Sequence, residues 1–452
     1  MKNKGVDLLH GSIFRSLSIL AIPIMATFLI QMAYNLVDML WIGKLGAGAV
    51  ASVGVAGNFM FLSNGLVNMP KVGAQALVGQ SLGAKDVDKA ARYAKNAFQI
   101  TILFAFVYGL IMILFKDALI HFFQLTDPKV VKDAIYYLTI TCGLVIFSFV
   151  NQTFTGILTS AGYTKITFQA TSIGLVMNLI LDPVLIFGWF GLPCLGVMGA
   201  AIATIGSQFV VTLLFLYSKK NIPLFERVHL LQKPDFDEWK DLLKIGFPVS
   251  LQSMLFSTIS IVIARIVSSY GDTSIAVQKV GAQIESISWM IADGFSASLT
   301  AFVSQNYGAH DYVRVKEGYR TGIRIVGIWG AITTFILIVF AGPIFQCFIH
   351  EPEILPYGID YLVILGTSQL FMCLEIATQG AFGGLGKTIP PSIVSIVFTT
   401  ARIPLALILS SFMGVNGIWW AISISSMFKG VLLVIWYLID SKKMIESKII
   451  PN

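Results

Sequence analysis

Gln31, Tyr34, Asn35 and Asp38 are spaced i, i+3, i+4 and i+7 inside an otherwise apolar run. On a helix that spacing puts all four on one face. An Asp within a membrane span costs ~2.5–3.5 kcal/mol on insertion scales, so such residues normally face a bundle interior or a water-filled cavity. A second set follows at Asn178 and Asp182, again i and i+4, and then Pro183, whose ring frees the Leu179 carbonyl as one more oxygen. Thr204 lies in the next apolar run. Two carboxylates, an amide and a hydroxyl form a hard-oxygen set suited to Na⁺ or to a shared proton. Each half also has a plainer reading: Asp38 solvated near its span's end, and Asn178–Pro183 as a helix-end turn. A common depth in the membrane, reached below, favours the cation site.

The second half of the chain has its own buried polar groups. Lys279, Gln283, Glu285 and Asp293 share one apolar run, while Glu375 and Arg402 lie in two others. Sets of mixed sign default to structural ion pairs; Glu285, with Asp293 two turns further on, is the better candidate for touching a substrate. The four cysteines are scattered, so no disulfide framework or zinc site is expected. The five histidines sit near segment ends, without an HExxH pattern. Residues 381–388, AFGGLGKT, fit a relaxed phosphate-loop pattern. Such a loop should follow a buried strand and open a soluble helix, whereas this one ends an apolar span. ATP is therefore not expected as the energy source.

The elements that must hold these residues follow from composition. Of 452 residues only 12% are charged and 56% are hydrophobic, and the mean hydropathy is +0.79. A soluble chain carries roughly 25% charged residues, so a soluble multidomain protein and a disordered chain are both excluded. The apolar runs are long enough for membrane helices rather than barrel strands. They predict an all-α polytopic membrane protein with spans at 13–41, 48–71, 96–115, 134–158, 166–188, 196–218, 245–268, 274–303, 324–342, 358–381, 389–411 and 416–440. The first run is too long for a signal peptide, and no small-residue cleavage site follows it. With the N-terminus inside, twenty-three Lys and Arg fall in inner segments, against Lys44, Lys116, Lys129 and Lys132 outside. Both termini are then cytoplasmic. Asp38, Asp182 and Thr204 all come to lie in the outer half of the membrane. The net charge of +7 is a topology signal that suits an anionic inner leaflet, and it gives no reason to expect nucleic acid.

The chain also repeats itself. At an offset of 225, Pro23 meets Pro248, Gly46 meets Gly271, and GQSLGAKD (79–86) meets SQNYGAHD (304–311). At 224, Gly156 meets Gly380 and Gly162 meets Gly386; at 218, Gly196 meets Gly414 and Ser207 meets Ser425. Two parallel six-helix lobes are expected, residues 1–218 and 245–452, joined by a cytoplasmic linker 219–244. A path at their interface suits a channel or a transporter. Pro23, inside the first span, is expected to kink it by releasing the Ile19 carbonyl. Its functional reading is a hinge governed by the protonation of Asp38.

IPIMATFLIQMAYNLVDMLWIGKLG (22–46), GQSLGAKD, MNLILDPVLIFG (177–188), GVMGAAIATIGSQ (196–208) and residues 280–309 together resemble the multidrug and toxic compound extrusion (MATE) family. The resemblance covers essentially the whole chain and is nearest to the branch typified by DinF and the archaeal members. It implies two bundles that open alternately to either side and no cofactor. It also implies export of bulky, mostly cationic organic compounds against inward H⁺ or Na⁺, by a monomer in a bacterial cytoplasmic membrane. It makes Asp38, Asn178, Asp182 and Thr204 the coupling-ion site and Pro23 the bending proline. The substrate cavity would draw on Gln31, Tyr34, Asn35, Asn151, Gln283, Glu285, Asp293, Glu375 and Arg402. Where the NorM-type branch has a span-7 acid, this chain has Phe256, which argues against an Na⁺ site in the second lobe. Two alternatives remain: a flippase for a lipid-linked precursor, which would want more intramembrane Arg and Lys, and an intramembrane enzyme, for which no motif is present.

Overall fold

The computed structural model describes residues 5–449, and no strand occurs among them. The first run of helices is α1 (Ile13–Gly43), α2 (Ala47–Gly83), α3 (Val87–Leu114), α4 (Lys116–His121), α5 (Pro128–Gly143), α6 (Ile146–Ser160), α7 (Thr164–Phe187) and α8 (Val197–Ser218). After the short α9 (Pro223–Glu226) comes the second run: α10 (Phe236–Ser268), α11 (Asp272–Gly308), α12 (Tyr312–Val339), α13 (Ala341–Gln346), α14 (Leu355–Gly366) and α15 (Gln369–Gly384). It ends with α16 (Ile389–Thr400), α17 (Arg402–Met413) and α18 (Val415–Ile449). Nine described helices or helix pairs are long and apolar enough to cross a membrane, and the pairs α5–α6 and α14–α15 bring that to eleven as bent spans. The predicted eighth span is the 37-residue α11, whose Asp272, Lys279, Glu285 and Asp293 dilute its hydropathy but not its length.

The repeat is written into the backbone. α2 and α11 are both 37 residues long, α3 and α12 both 28, and the bent spans turn by 42° and 45°. Lys85 and His310, 225 apart, both take left-handed φ of 59° and 58°. Each follows a helix end closed by a backbone bond, Asp86 N to Ser81 O and Asp311 N to Asn306 O. Those aspartates then cap the next helix, accepting from Lys89 N at 2.8 Å and Arg314 N at 3.0 Å. One sequence device thus ends a helix and starts another, twice.

Two compact units result. Of the described residues, the first comprises Gly5–Val6 and Ile22–Ser250, and the second Asp7–Ala21 and the chain from Leu251 to Ile449. Two of the three boundaries fall inside helices, within two residues of Pro23 in α1 and of Pro248 in α10. α1 nevertheless continues across Pro23, whose carbonyl accepts from Thr27 Oγ1 at 2.9 Å.

In the first unit the early turns of α10 press against α2. A Cβ on Gly246 would sit 1.9 Å from the Met69 carbonyl oxygen, and one on Gly73 2.4 Å from that of Leu242, so only glycine permits this approach. Ser250 Oγ adds a bond to Gly65 O at 2.7 Å. Residues 236–244, expected in the linker, are therefore helix. The stretch before them is tied to α3: buried Asn96 donates to Glu238 at 2.5 Å and accepts from Asp235 N and Trp239 Nε1. Arg92 also pairs with Glu238, at 3.0 Å, and this hydrogen-bonded partner raises its already high pKa. In the second unit Asn306 and Arg314 bond to the Leu8 carbonyl at 3.0 and 3.3 Å.

Candidate functional site

Within the first unit, α1, α7 and α8 bring Asp38, Asn178, Asp182 and Thr204 together. Asp182 is fully buried and Asn178 is 2% exposed, because their shared face points into the bundle. Asn178 Nδ2 donates to Asp182 Oδ1 at 3.2 Å, and the Asp38 and Asp182 carboxyls lie within side-chain hydrogen-bonding reach of each other. Thr204 donates its own proton to the Ala200 carbonyl at 3.0 Å. Its oxygen remains in reach of the hydroxyls of Tyr34 and Tyr137.

Acceptors outnumber donors here. Asp38 Oδ1, Asn178 Oδ1 and Asp182 Oδ2 are buried without a hydrogen-bond partner. An orphaned buried acceptor costs free energy, and two adjacent carboxylates cannot both stay ionised without a cation or shared proton between them. The chemistry the geometry supports is capture of a small cation. No cluster of three His, Cys, Asp or Glu side chains occurs among the described residues. A metal ion here would therefore lean on the Asn amide and Thr hydroxyl as well. The polar face of α1 leads up to the site, with Gln31 and Asn35 exposed and Tyr34 half-buried.

The second unit handles its charges differently. Glu375 Oε1 meets Lys429 Nζ at 3.1 Å, with both side chains about 95% buried. The same oxygen accepts from Gln379 at 2.9 Å and Ser395 at 3.0 Å. Arg402 donates to Ser425 and Ser426 at 2.7 and 3.0 Å. Its guanidinium also lies 5.8 Å from the Phe256 ring centroid. Glu285 accepts from Gln369 at 3.0 Å, with the Tyr361 hydroxyl in reach, and keeps one oxygen unpartnered. Gln283 and Asp293 are half-buried. Asn151, in the first unit, is 6% exposed. It donates to Gln208 at 2.8 and 2.9 Å and accepts from Thr212 at 2.9 Å. Those bonds make it a clamp between α6 and α8, with both amide protons spent there.

Sequence reasoning missed Tyr137 and Lys429. A tyrosine in an apolar run reads as packing, and of the adjacent Tyr136 and Tyr137 nothing local says which faces inward. Lys429 carried a signal, as a lone cation in an apolar run, but its partner lies 54 positions earlier. The repeat supplies an internal comparison. At the same offsets Tyr34, Asp38, Asp182 and Thr204 correspond to Ile259, Ile263, Ala406 and Ile422, all packed in one apolar core. Only Tyr137 keeps its type, as Tyr361.

The family model MatE matches the chain twice, over residues 23–184 and 248–408. "Probable multidrug resistance protein NorM" of Thermotoga maritima is 27% identical over 423 residues, covering 93% of this chain and 91% of that one. "Probable multidrug resistance protein YoeA" of Bacillus subtilis is 28% identical over 416 residues, covering 90% of each. Among solved structures, a MOP superfamily transporter from Pyrococcus furiosus superposes with a TM-score of 0.88 at 22% identity, over 98% of this chain and 99% of that one. Its fold is shared; its description as having a binding pocket of reverse polarity belongs to that protein.

Proposed function

Because the chain belongs to the MatE family, whose members are membrane transporters and not enzymes, we propose that it is a secondary antiporter exporting bulky, mostly cationic organic compounds. The exchange is for inward H⁺ or Na⁺, by alternating access. The observation that carries this reading is the orphaned oxygens of Asp38, Asn178 and Asp182 around two facing carboxyls. A site so short of donors binds its cation more tightly in the conformation that assembles it, and that difference in affinity is what drives a conformational equilibrium. Pro23, near the boundary between units inside α1, is the natural place for the helix to respond.

In this reading the first unit is the ion-handling lobe. Gln31, Tyr34 and Asn35 with Glu285, Gln283 and Asp293 are the polar groups offered to substrate, whereas Glu375 and Arg402 hold the second lobe together. The chain works as a monomer in the cytoplasmic membrane with both termini inside, and Asp38 in place of a span-7 acid favours the DinF-like branch. In this reading ATP is not the energy source; Gly386 N and Lys387 N bond to Gly383 O and Phe382 O, closing α15.

The test is substrate efflux from proteoliposomes under an Na⁺ gradient alone, then a pH gradient alone. Transport on either gradient, lost in Asp38→Asn, supports the antiporter and names the ion. Efflux driven by neither would overturn it in favour of the flippase.

A further inference from the structure

A second polar feature lies in the second unit, apart from the Glu375–Lys429 pair. Tyr307, Tyr312, Lys387, Asp440, Lys443 and Met444 line a cavity of about 350 Å³ formed by the end of α11, the start of α12, the α15–α16 turn and the last turns of α18. Lys387 Nζ is held by Asp440 at 2.7 Å. Lys443 has no acid partner among the described ion pairs, whereas its neighbour Lys442 is 3.8 Å from Glu446. The Tyr307 and Tyr312 rings stand 5.6 Å apart, and His310 Nδ1 is 3.1 Å from the Tyr312 hydroxyl. Two ammonium groups and one carboxylate leave the lining with one positive charge.

The repeat says whether the fold requires this. At the offsets of 225 and 224, the positions of Tyr307, Tyr312 and Lys387 correspond to Leu82, Val87 and Tyr163. All three pack on one apolar core of the first unit. Asp440, Lys443 and Met444 lie on turns of α18 that run beyond the length of α8, which ends at Ser218. The polar lining is thus particular to the second unit and is not a by-product of the repeat.

We propose that this cavity binds the singly anionic phosphodiester headgroup of an inner-leaflet phospholipid. Lys443 supplies the unpaired charge, Lys387 shares its remaining protons, the tyrosine hydroxyls donate hydrogen bonds, and Met444 lies against the glycerol. Basic pockets between helices on the cytoplasmic side are the established physical form of such recognition, and Tyr is the residue of the headgroup level. The leaflet rests on the topology proposed above; the binding itself does not depend on transport.

The experiment is native mass spectrometry of the full chain in detergent with dioleoylphosphatidylglycerol, with dioleoylphosphatidylcholine as the neutral comparison. Wild type should retain one phosphatidylglycerol in preference to phosphatidylcholine, and Lys443→Gln should lower that retention about fivefold, the effect of one cation near a lipid phosphate. Lys443→Phe, which replaces the charge with a bulky apolar ring, should abolish it. Lys316→Gln, elsewhere on the basic face, should not change it. Equal retention by wild type and both Lys443 variants overturns the proposal. Displacement of the lipid by millimolar inorganic phosphate overturns the lipid assignment and makes the cavity a site for soluble phosphate.

Discussion

In the first unit Asp38 and Asp182 face each other with acceptor oxygens to spare; in the second, a single oxygen of Glu375 serves Lys429, Gln379 and Ser395 at once. The surrounding backbones are near copies, down to matched left-handed residues and helix lengths. Where the first unit holds its acids, the second packs Ile263 and Ala406, with the buried Arg402 at the place of Asn178. Elsewhere the roles reverse, with Leu82 and Val87 packed on an apolar core of the first unit where Tyr307 and Tyr312 line a polar cavity in the second. The comparison teaches that buried charge is not a property of this scaffold. A self-neutralised set such as Glu375–Lys429 holds a structure, whereas an incomplete set such as Asp38–Asp182 requires something from outside.

The comparison breaks first at Asp38. Asp38→Asn should reduce gradient-driven export in proteoliposomes to background while thermal unfolding in detergent stays near wild type. Export at the normal rate would remove the acid pair from the mechanism. Lys429→Met leaves Glu375 buried without its cation and should cost about 3–5 kcal/mol, with Glu375→Leu restoring most of it in the double variant. Unfolding midpoints that do not move would make the second set as incomplete as the first. Gly246→Val drives a side chain into the Met69 carbonyl, and an overpacking cost of about 1–3 kcal/mol should appear as a lowered midpoint. Smallest is the paired test of symmetry: Lys85→Gly and His310→Gly should each gain about 1 kcal/mol by relieving the same left-handed backbone. A gain at one and not the other would mean that the repeat is looser than its angles.

Much of this was legible because membrane helices are local objects. Run length, Lys and Arg asymmetry and a fixed repeat offset need no knowledge of packing, and the predicted spans recur as helices that mostly run some residues further. The extra turns are less apolar, as at Lys71–Gly83 in α2, where Lys71, Gln75, Gln80 and three glycines thin the run before the helix ends. The two bends were not legible: no proline marks Leu144–Val145 or Thr367–Ser368. At the site, Asp38, Asn178, Asp182 and Thr204 could be read because each polar type is costly in its apolar surroundings and their depths agree. Tyr137 could not, since a phenol is at home in a core. Asn151 is assigned to the cavity by resemblance alone. Only the neighbouring helix shows that its amide protons go to Gln208 and that Thr212 donates to its oxygen.

The carbonyl of Leu8 finds its partner at Asn306, 298 positions away, because Asp7–Ala21 is built into the second unit. For a chain made from its N-terminus, that is a long wait. At about 5–20 residues per second, the first turns of α1 leave the ribosome roughly 15–60 s before α11 exists to receive them. The segment Asp7–Ala21 is thus synthesised long before its partner, and the second unit cannot complete itself from its own stretch of chain. Deleting residues before Ile22 should therefore injure the half of the protein that is made last.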